Sequence, residues 1–512
     1  MPQSLCSTDL HCSHTMTNSA TGKYLFTGGY VATMDGSLGE FDRGAVLVED
    51  GVITAVGRAD ELSASECQVI DTSGGVVIPG FIDTHRHTSL SLFRGIAADH
   101  SLVRFLPNCY LRWLPAVDVQ DIYTASLVSA LEAIDSGVTT LLDCVEAPSS
   151  RQHAEANLQA LKDSGIRAFY CYGMSDGQYE GSANGLPGWE ARLAHLDDLY
   201  RFKNDHHLVR VGLQTSHPGL VPFDQTEKEI RFAQEHGMLC CSHTAPFMHT
   251  RLHNGVQELA DRGLLLPGHV HIHCTSLNHH EMGLLAASGG KVSIATETEM
   301  QMGMGIPPIR ACIEHGIKPT LSIDTTSIVA PDYLSQMRLA LQLQRLLDND
   351  TAHVSRKAPT QLDLGVRDVL TWATRNGADA VGMVDRIGTL TPGKRADLIF
   401  ISSKRFLSTS AFPLGTAILH STPADIDTVM VDGVIRKRDG QLVGYDLDNI
   451  RAKANTALRR TMANLRDFRP EMTEKELDQF LLDVERLTRA NLASAYGSSV
   501  DSCWTSSLHH TE

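Results

Sequence analysis

Residues 79–87 read PGFIDTHRH, and this stretch decides the fold. An apolar, β-branched run leads into it, and it ends in two histidines separated by one residue, His85 and His87. Residues two apart on a strand point to the same side, so both imidazoles can reach one metal ion while Arg86 faces away. A doubly wound nucleotide-binding sheet would carry a glycine fingerprint after this first strand instead. The stretch therefore favours a metal site at the end of a barrel strand.

Seven further apolar runs follow this strand, and segments with helical periodicity separate them. The runs cover residues 138–144, 168–172, 209–214, 239–242, 270–274, 292–295 and 320–324. Several of the helical segments end in a glycine just before the next strand, as at Gly165 and Gly316, which is typical of helix C-termini. Eight strands with crossover helices predict an α/β fold, a (β/α)₈ TIM-like barrel. In such a barrel the active site lies at the C-terminal ends of the strands.

Short alternating strands broken by glycine occur at both ends of the chain. The turns at 49–51 (EDG) and 431–433 (VDG) are hairpin signals in these two regions. Together they predict one small β-sandwich domain built from both chain ends. The expected organisation has four parts: a disordered leader at 1–22, the β-sandwich at 23–78 and 385–446, the barrel at 79–384, and a C-terminal helical extension and tail at 447–512.

Composition restricts the partners and the compartment. The 512 residues include 44 Lys and Arg against 60 Asp and Glu, a formal net charge of −16. An acidic chain without a long basic run argues against nucleic acid or an anionic membrane as partner, and no apolar run approaches the roughly 18 residues of a membrane span. The N-terminus lacks the features of a targeting signal. The 11 cysteines, without a pair at two-residue spacing, are typical of reduced thiols. We therefore expect a cytoplasmic protein whose partner is a small molecule.

Three more strand ends carry potential metal ligands. The fifth strand ends at His243, the sixth at His273 and the eighth at Asp324. Imidazoles with one carboxylate suit Zn²⁺, Fe²⁺ or Mn²⁺ and leave a coordination position open for water. His269 and His271 share a face with His273 by strand alternation, but they precede the strand's C-terminal end, so we expect barrel-interior or turn positions for them.

The sequence resembles the amidohydrolase superfamily, in particular its cytosine deaminase and triazine hydrolase (chlorohydrolase) branch. The matching segments are 79–87, 135–140 (DSGVTT), 300–303 (MQMG), 385–390 (DRIGTL) and 393–398 (GKRADL). The resemblance covers residues 23–445. It implies a mononuclear metal-dependent hydrolase in which activated water attacks an sp² carbon of a nitrogen heterocycle, cyclic amide or amidine and releases ammonia or an amine.

The resemblance also implies roles for individual residues. The metal ligands are His85, His87, His243 and Asp324, and the catalytic residues are His273 and Asp324. His217, near the end of the fourth strand, is the expected substrate contact. One divalent ion per chain is expected, Zn before Fe or Mn, because the fourth strand ends at Gln214 and lacks the lysine that two-metal members use. A homo-oligomer, a dimer or larger, is expected on the same basis.

One position departs from the family pattern. Family deaminases carry a glutamate three residues after the fifth-strand histidine, where this chain has Pro246. Glu146, Glu297 and Glu299 follow other strands and could supply an acid, or they could be solvated or structural. The departure keeps an alternative open, which is a non-hydrolytic lyase or isomerase, such as a decarboxylase or dehydratase, or a dehalogenating hydrolase on the same scaffold.

Overall fold

The structure is a computed structural model. It describes residues 22–63, 65–113, 116–145, 148–174, 188–246, 255–405, 409–466 and 471–491. The leader predicted at 1–22 falls outside these ranges except for Gly22, and so does Glu146.

Seven short strands precede the barrel. They are β1 Lys23–Thr27, β2 Tyr30–Ala32, β3 Glu40–Phe41, β4 Gly44–Glu49, β5 Val52–Arg58, β6 Gln68–Asp71 and β7 Val76–Pro79. The tight turn between β4 and β5 has Asp50 and Gly51 at positive φ, as a two-residue hairpin requires.

Eight parallel strands then form one sheet, paired in sequence order from first to last. They are β8 Phe81–Arg86, β9 Val138–Val145, β10 Arg167–Gly173, β11 Val209–Gln214, β12 Cys240–Thr244, β13 Val270–His273, β14 Lys291–Ile294 and β15 Pro319–Leu321. Backbone hydrogen bonds link the two ends of this sheet: Asp324 N donates to His85 O over 3.0 Å, and His87 N donates to Asp324 O over 2.8 Å. The predicted (β/α)₈ barrel is confirmed.

Four strands from the C-terminal region belong to one of the two sheets outside the barrel. They are β16 Leu398–Ile401, β17 Ile426–Val431, β18 Val434–Arg438 and β19 Gln441–Leu442. One sheet has the order β5-β4-β1-β6 and the other β19-β18-β17-β16-β7-β2-β3, so β7 and β16 join the two ends of the chain as antiparallel neighbours. Phe26, Val46, Val77 and Phe400 belong to one buried apolar cluster, which draws on both sheets.

Helices cover the outside of the barrel and extend beyond it. They are α1 Leu102–Phe105, α2 Leu111–Trp113, α3 Val119–Asp135, α4 Arg151–Ser164, α5 Trp189–Lys203, α6 Phe223–Glu235, α7 Val256–Asp261, α8 His279–Ser288, α9 Thr296–Gln301, α10 Ile309–Glu314, α11 Tyr333–Val354, α12 Val366–Thr371, α13 Gly377–Ala380, α14 Pro413–His420, α15 Leu447–Arg466 and α16 Glu474–Asn491. Short 3₁₀ turns cover Thr88–Phe93 and Pro423–Asp425, and π-helical turns cover Leu106–Tyr110 and Trp372–Asn376. In the described ranges, no helix has the length and apolarity needed to cross a membrane.

The two faces of the barrel strands have different partners. Leu142, Cys171, Cys241 and Ile272 belong to a buried cluster that fills the barrel interior. The alternate positions pack against the helices, as strand alternation requires. The fold therefore leaves the residues just past the C-terminal strand ends as the place where polar side chains can gather.

Candidate active site

The five side chains singled out at strand ends converge on one point. Asp324 Oδ1 lies 3.3 Å from His85 Nε2 and 3.4 Å from His87 Nε2, and Asp324 Oδ2 lies 3.9 Å from His273 Nε2. The His243 ring centroid is 5.0 Å from that of His85 and 5.6 Å from that of His273. Four separate strand ends thus contribute to one cluster, and all five residues are buried.

The donor set fits a divalent transition metal. The ligand atoms of His85, His87 and Asp324 lie within 4.8 Å of one another, and so do those of His85, His243 and His273. Tetrahedral ligands at about 2.0 Å from zinc stand about 3.3 Å apart, the separation that Asp324 and His85 show. His85 Nε2 is buried and has no hydrogen-bond partner among the described residues, so a metal ion would satisfy it.

The charge states also suit a metal. Burial lowers the pKa of His85 to about 4, so its imidazole is neutral at pH 7 and its lone pair is free. Burial by itself would raise the pKa of the Asp324 carboxyl, but the neighbouring imidazoles of His85, His87 and His273 outweigh burial and hold that pKa at about 2. Neutral histidines with an ionised carboxylate are the forms that bind a divalent cation.

Contacts on the far side of the rings orient two of the histidines. His87 Nδ1 lies 2.8 Å from the carbonyl oxygen of Cys144, so it must donate there and present its Nε2 lone pair to the cluster. His85 Nδ1 contacts the Cys144 Sγ at 3.0 Å. Arg86 faces away as predicted, since its Nε donates to Ser129 on α3 over 2.9 Å and its Nη1 to Asp83 over 3.1 Å.

His217 lies beside the cluster and not within it. Its Nε2 is 3.2 Å from His243 Nδ1, and Gln214 Nε2 is 3.4 Å from the same nitrogen. His217 is half-buried and lines the cavity above the cluster. The fourth strand therefore ends in Gln214, where two-metal family members have a lysine, and the Gln214 amide contacts the His243 ring.

The backbone at these strand ends departs from ordinary extended geometry. Ala245, His273, Cys274 and Asp324 have φ values of 49°, 71°, 58° and 68°, and left-handed conformations of this kind cluster at functional sites. The turn at His273 directs its ring toward Asp324 although Ile272 packs in the barrel interior. His271, expected in the interior or in a turn, lies instead on the outer face, where its Nδ1 is 3.0 Å from Thr244 Oγ1.

Of the two considered glutamates that the structure describes, Glu299 reaches the cluster. Glu299, on α9, is fully buried, and its Oε1 lies 3.1 Å from His273 Nδ1 and accepts a hydrogen bond from Ala295 N over 2.9 Å. Burial raises the pKa of Glu299 well above its ordinary value. Glu297 accepts a hydrogen bond from Gln336 instead. The signal for Glu299 in the sequence was its place in the segment after the seventh strand, but nothing there distinguished it from Glu297.

A largely apolar cavity lies above the cluster. The space between its walls amounts to about 590 Å³, a volume that includes the open solvent at its mouth. His87, His217, His243, His273 and Asp324 line its floor. The other described lining residues are Leu90, Leu102, Phe105, Leu106, Tyr110, Pro246, Met302, Met304, Thr325 and Ile328. Apart from the histidines and Asp324, the described lining residues are apolar except for Tyr110 and Thr325.

Comparison with known sequences gives a consistent set of similar proteins. The model of the amidohydrolase family matches residues 76–436, and that of an imidazolonepropionase-like composite domain of bacteria matches residues 44–65. A 5'-deoxyadenosine deaminase of Methanosarcina barkeri is 28% identical over 447 residues, covering 84% of this chain and 96% of the relative. A 5-methylthioadenosine/S-adenosylhomocysteine deaminase of Shouchella clausii is 28% identical over 457 residues, covering 84% and 97%.

Solved structures share the architecture. A zinc-bound adenosine deaminase from Xanthomonas campestris superposes with a TM-score of 0.76 at 20% identity, covering 86% of this chain and 99% of that one. A zinc complex of atrazine chlorohydrolase from Arthrobacter aurescens TC1 gives a TM-score of 0.75 at 21% identity, covering 85% and 100%. At these identities the likeness establishes the fold.

Proposed function

The chain belongs to the amidohydrolase family, and we propose from this that it is a zinc-dependent deaminase of an uncharged, amino-substituted nitrogen heterocycle. It is a hydrolase of carbon–nitrogen bonds other than peptide bonds. The observation that carries the proposal is the convergence of His85, His87, His243 and Asp324 beneath an apolar cavity, which all of them except His85 line. The relatives matched in sequence are deaminases, so the proposal does not extend to lyase or dehalogenating chemistry.

We assign one zinc ion per chain to His85, His87, His243 and Asp324. When bound, such an ion lowers the pKa of water from about 15.7 towards 7 and so supplies a nucleophile at neutral pH. Asp324, with its pKa of about 2, is the ionised base that takes a proton from the water and passes it to the leaving nitrogen. His273 lies on the opposite side of the Asp324 carboxylate from His85, where it can hydrogen-bond the reacting atoms.

The cavity suggests the substrate class. The matched relatives are named for 5'-deoxyadenosine and for methylthioadenosine and S-adenosylhomocysteine, all adenine nucleosides, of which the first two are uncharged and carry an apolar 5' substituent. Leu102, Phe105, Met302, Met304 and Ile328 give the cavity apolar walls that fit such a group. His217, half-buried at the floor, is placed to contact the heterocycle. We therefore propose an adenine nucleoside or a similar aminated purine or pyrimidine without a charged substituent.

An ammonia-release assay on the zinc-loaded protein tests this proposal. The panel contains 5'-deoxyadenosine, methylthioadenosine, adenosine, S-adenosylhomocysteine, adenosine 5'-monophosphate, cytosine and an aminotriazine. We expect ammonia from at least one uncharged nucleoside, with kcat/KM at least about tenfold above that of the charged analogues, because an unpaired charge in an apolar cavity costs more than 1.4 kcal/mol. Release only from charged substrates, or from none, would refute it.

We further propose a cytoplasmic homo-oligomer, a dimer or larger. Seven of the eight cysteines that the structure describes are buried, which is the usual place of reduced thiols in proteins of a reducing compartment. Light scattering on the purified zinc-loaded protein tests the assembly, since a monomer at micromolar concentration would contradict it.

A further inference from the structure

Glu299 occupies the far side of the His273 ring from the cavity. Its side chain is fully buried, and Oε1 meets two nitrogens, the backbone N of Ala295 at 2.9 Å and His273 Nδ1 at 3.1 Å. Glu299 Oε2 is buried and has no hydrogen-bond partner in the described part of the chain. Burying a carboxyl group costs free energy, and a buried carboxyl group in contact with a histidine of the cavity is a candidate for a functional role.

The contact with Ala295 uses one lone pair of Oε1 and leaves another for His273. A backbone N–H can only donate, so Oε1 accepts there, and an ionised carboxylate or a carboxyl group protonated on Oε2 keeps a second lone pair on Oε1. In either of these forms Oε1 accepts a hydrogen bond from His273, and Nδ1 carries the proton. In the neutral ring that leaves Nε2 unprotonated, and Nε2 is the nitrogen that faces Asp324 at 3.9 Å.

We propose that Glu299 is a positioning residue that fixes His273 in the Nδ1–H form, so that His273 Nε2 carries the proton that a fifth-strand glutamate handles in the family's deaminases. The inference rests on the proposed deamination. The inference accounts for Pro246 at the position of that glutamate, because Glu299 on α9 supplies a carboxyl group that acts through the imidazole of His273.

The protons of the reaction balance under this assignment. Asp324 takes one proton from water as the oxygen bonds to the carbon of the ring C=N bond, which places a hydroxyl and an amino group on one carbon and leaves the electron pair of the C=N bond on the ring nitrogen. Asp324 moves one water proton to the amino group, and ammonia leaves with the electron pair of the C–N bond. The second water proton must leave the hydroxyl as the C=O bond forms and must reach the ring nitrogen. His273 Nε2 accepts that proton and returns it to the ring nitrogen, while Nδ1–H stays on Glu299.

Four single variants and one double variant test the role by steady-state kinetics, and the single variants are Glu299→Leu, Glu299→Gln, His273→Asn and the control Glu297→Gln. Leu fills the site without an acceptor, so we expect kcat to fall about 100-fold or more with KM within about threefold and zinc content unchanged. Gln retains an oxygen acceptor for both donors and should restore kcat to within about tenfold of the wild type. Glu297, two residues earlier on α9 and paired with Gln336, should tolerate Gln without effect. In the His273→Asn background, Glu299→Leu should add no further loss.

A proton NMR measurement gives a readout without substrate. A low-field Nδ1–H resonance is expected in the wild type, in Glu299→Gln and in Glu297→Gln, and its loss is expected in Glu299→Leu and His273→Asn. Wild-type kcat in Glu299→Leu, or survival of the resonance in that variant, would overturn the assignment. Equal losses of activity and zinc in the Leu and Gln variants would show a merely structural role and would also overturn it. A wild type that releases no ammonia refutes the proposed function, whereas the resonance still decides the tautomer.

Discussion

Asp324 contributes to barrel closure through its backbone and to the candidate active site through its side chain. Its backbone N and O bond to His85 and His87 and so join the last barrel strand to the first. Its carboxylate lies 3.3 Å from His85 Nε2 and faces the open cavity. Closing the barrel therefore brings the ligands of the first and eighth strands together, and the left-handed φ of 68° at Asp324 is part of that geometry.

Replacing Asp324 by Asn should separate these two contributions. Asn keeps the backbone hydrogen bonds and the side-chain volume but loses the charge and the proton acceptor. We expect kcat to fall by about 1,000-fold or more and zinc occupancy to drop, while the thermal midpoint of the metal-free protein stays within a few degrees of the wild type. Kinetics, metal analysis and calorimetry measure the three quantities. Asp332→Asn is the matched control, because Asn caps α11 as well as Asp does.

Glu229 on α6 holds the segment that carries His217. It accepts hydrogen bonds from Ser216 N and from Ser216 Oγ, each over 2.8 Å, and from Trp189 Nε1 over 2.7 Å. Burial raises the pKa of Glu229 to about 7 despite these donors. The carboxyl group is therefore easier to ionise in the unfolded chain than in the folded one.

This difference predicts a pH dependence of stability. Below about pH 4.5 the Glu229 carboxyl group is protonated in both the folded and the unfolded chain, and between pH 4.5 and 7 it is protonated only in the folded chain. The contribution of Glu229 to the free energy of unfolding is therefore lost as the pH rises to about 7. A shift of this size amounts to about 3 kcal/mol. The thermal midpoint of Glu229→Gln minus that of the wild type should therefore increase between pH 5 and pH 7 and level off above. A difference that is flat or decreases over that interval would refute the assignment.

At the scale of elements, the strand and helix pattern of the barrel could be predicted from the sequence, whereas the orientation of some site residues could not. Each predicted barrel strand is present within a few residues of its bounds, because apolar runs and glycine stops are local signals. The orientation of the His273 ring depends on the φ of 71° at this residue, which breaks the alternation of side chains along β13. The contact between Glu299 and this ring depends on the position of α9 next to the end of β13. Both are tertiary features without a local sequence signal.

The C-terminal helices contact the helical segment that walls the cavity. Leu102, Phe105, Leu106 and Tyr110 line the cavity from α1 and the π-helical turn after it. On the other side of this wall, Met472 N donates to the buried Asn108 Oδ1 over 2.8 Å, and Arg104 pairs with Glu474 at the start of α16. Asn491 Nδ2 donates to Leu220 O over 3.2 Å, three residues after His217. The extension thus stabilises the wall from outside.

Removing the Asn108 contact should loosen this wall. We expect Asn108→Ala to raise KM for the best substrate about fivefold with a smaller change in kcat, since a lost buried hydrogen bond costs about 1 kcal/mol. Arg486→Ala is the control, because Arg486 is exposed on α16 and pairs with Asp483 on the same helix. Equal KM values in the wild type and Asn108→Ala would show that the extension does not support the cavity.

At the scale of the whole molecule, the barrel and the sheets from the chain ends are joined by buried charges. Arg167 at the start of β10 pairs with Asp397 over 2.9 Å and with Asp432 over 2.7 Å, and all three residues are buried. The GKRADL motif therefore places Asp397 against the bottom of the barrel, far from the strand ends that form the site. The antiparallel pairing of β7 with β16 brings the two β-rich ends of the chain, which hairpin signals mark in the sequence, into one sheet. No local sequence signal predicts the role of the C-terminal helices, because that role depends on which barrel segment the helices contact.

The most direct test of hydrolytic deamination is the origin of the oxygen in the product. The zinc-loaded protein is incubated with its best nucleoside in H₂¹⁸O, and mass spectrometry and an ammonia assay follow the reaction. The account predicts one ¹⁸O atom in the product, on the carbon that lost its amino group, and one ammonia for each product formed. A product without ¹⁸O, or turnover without ammonia, would contradict it.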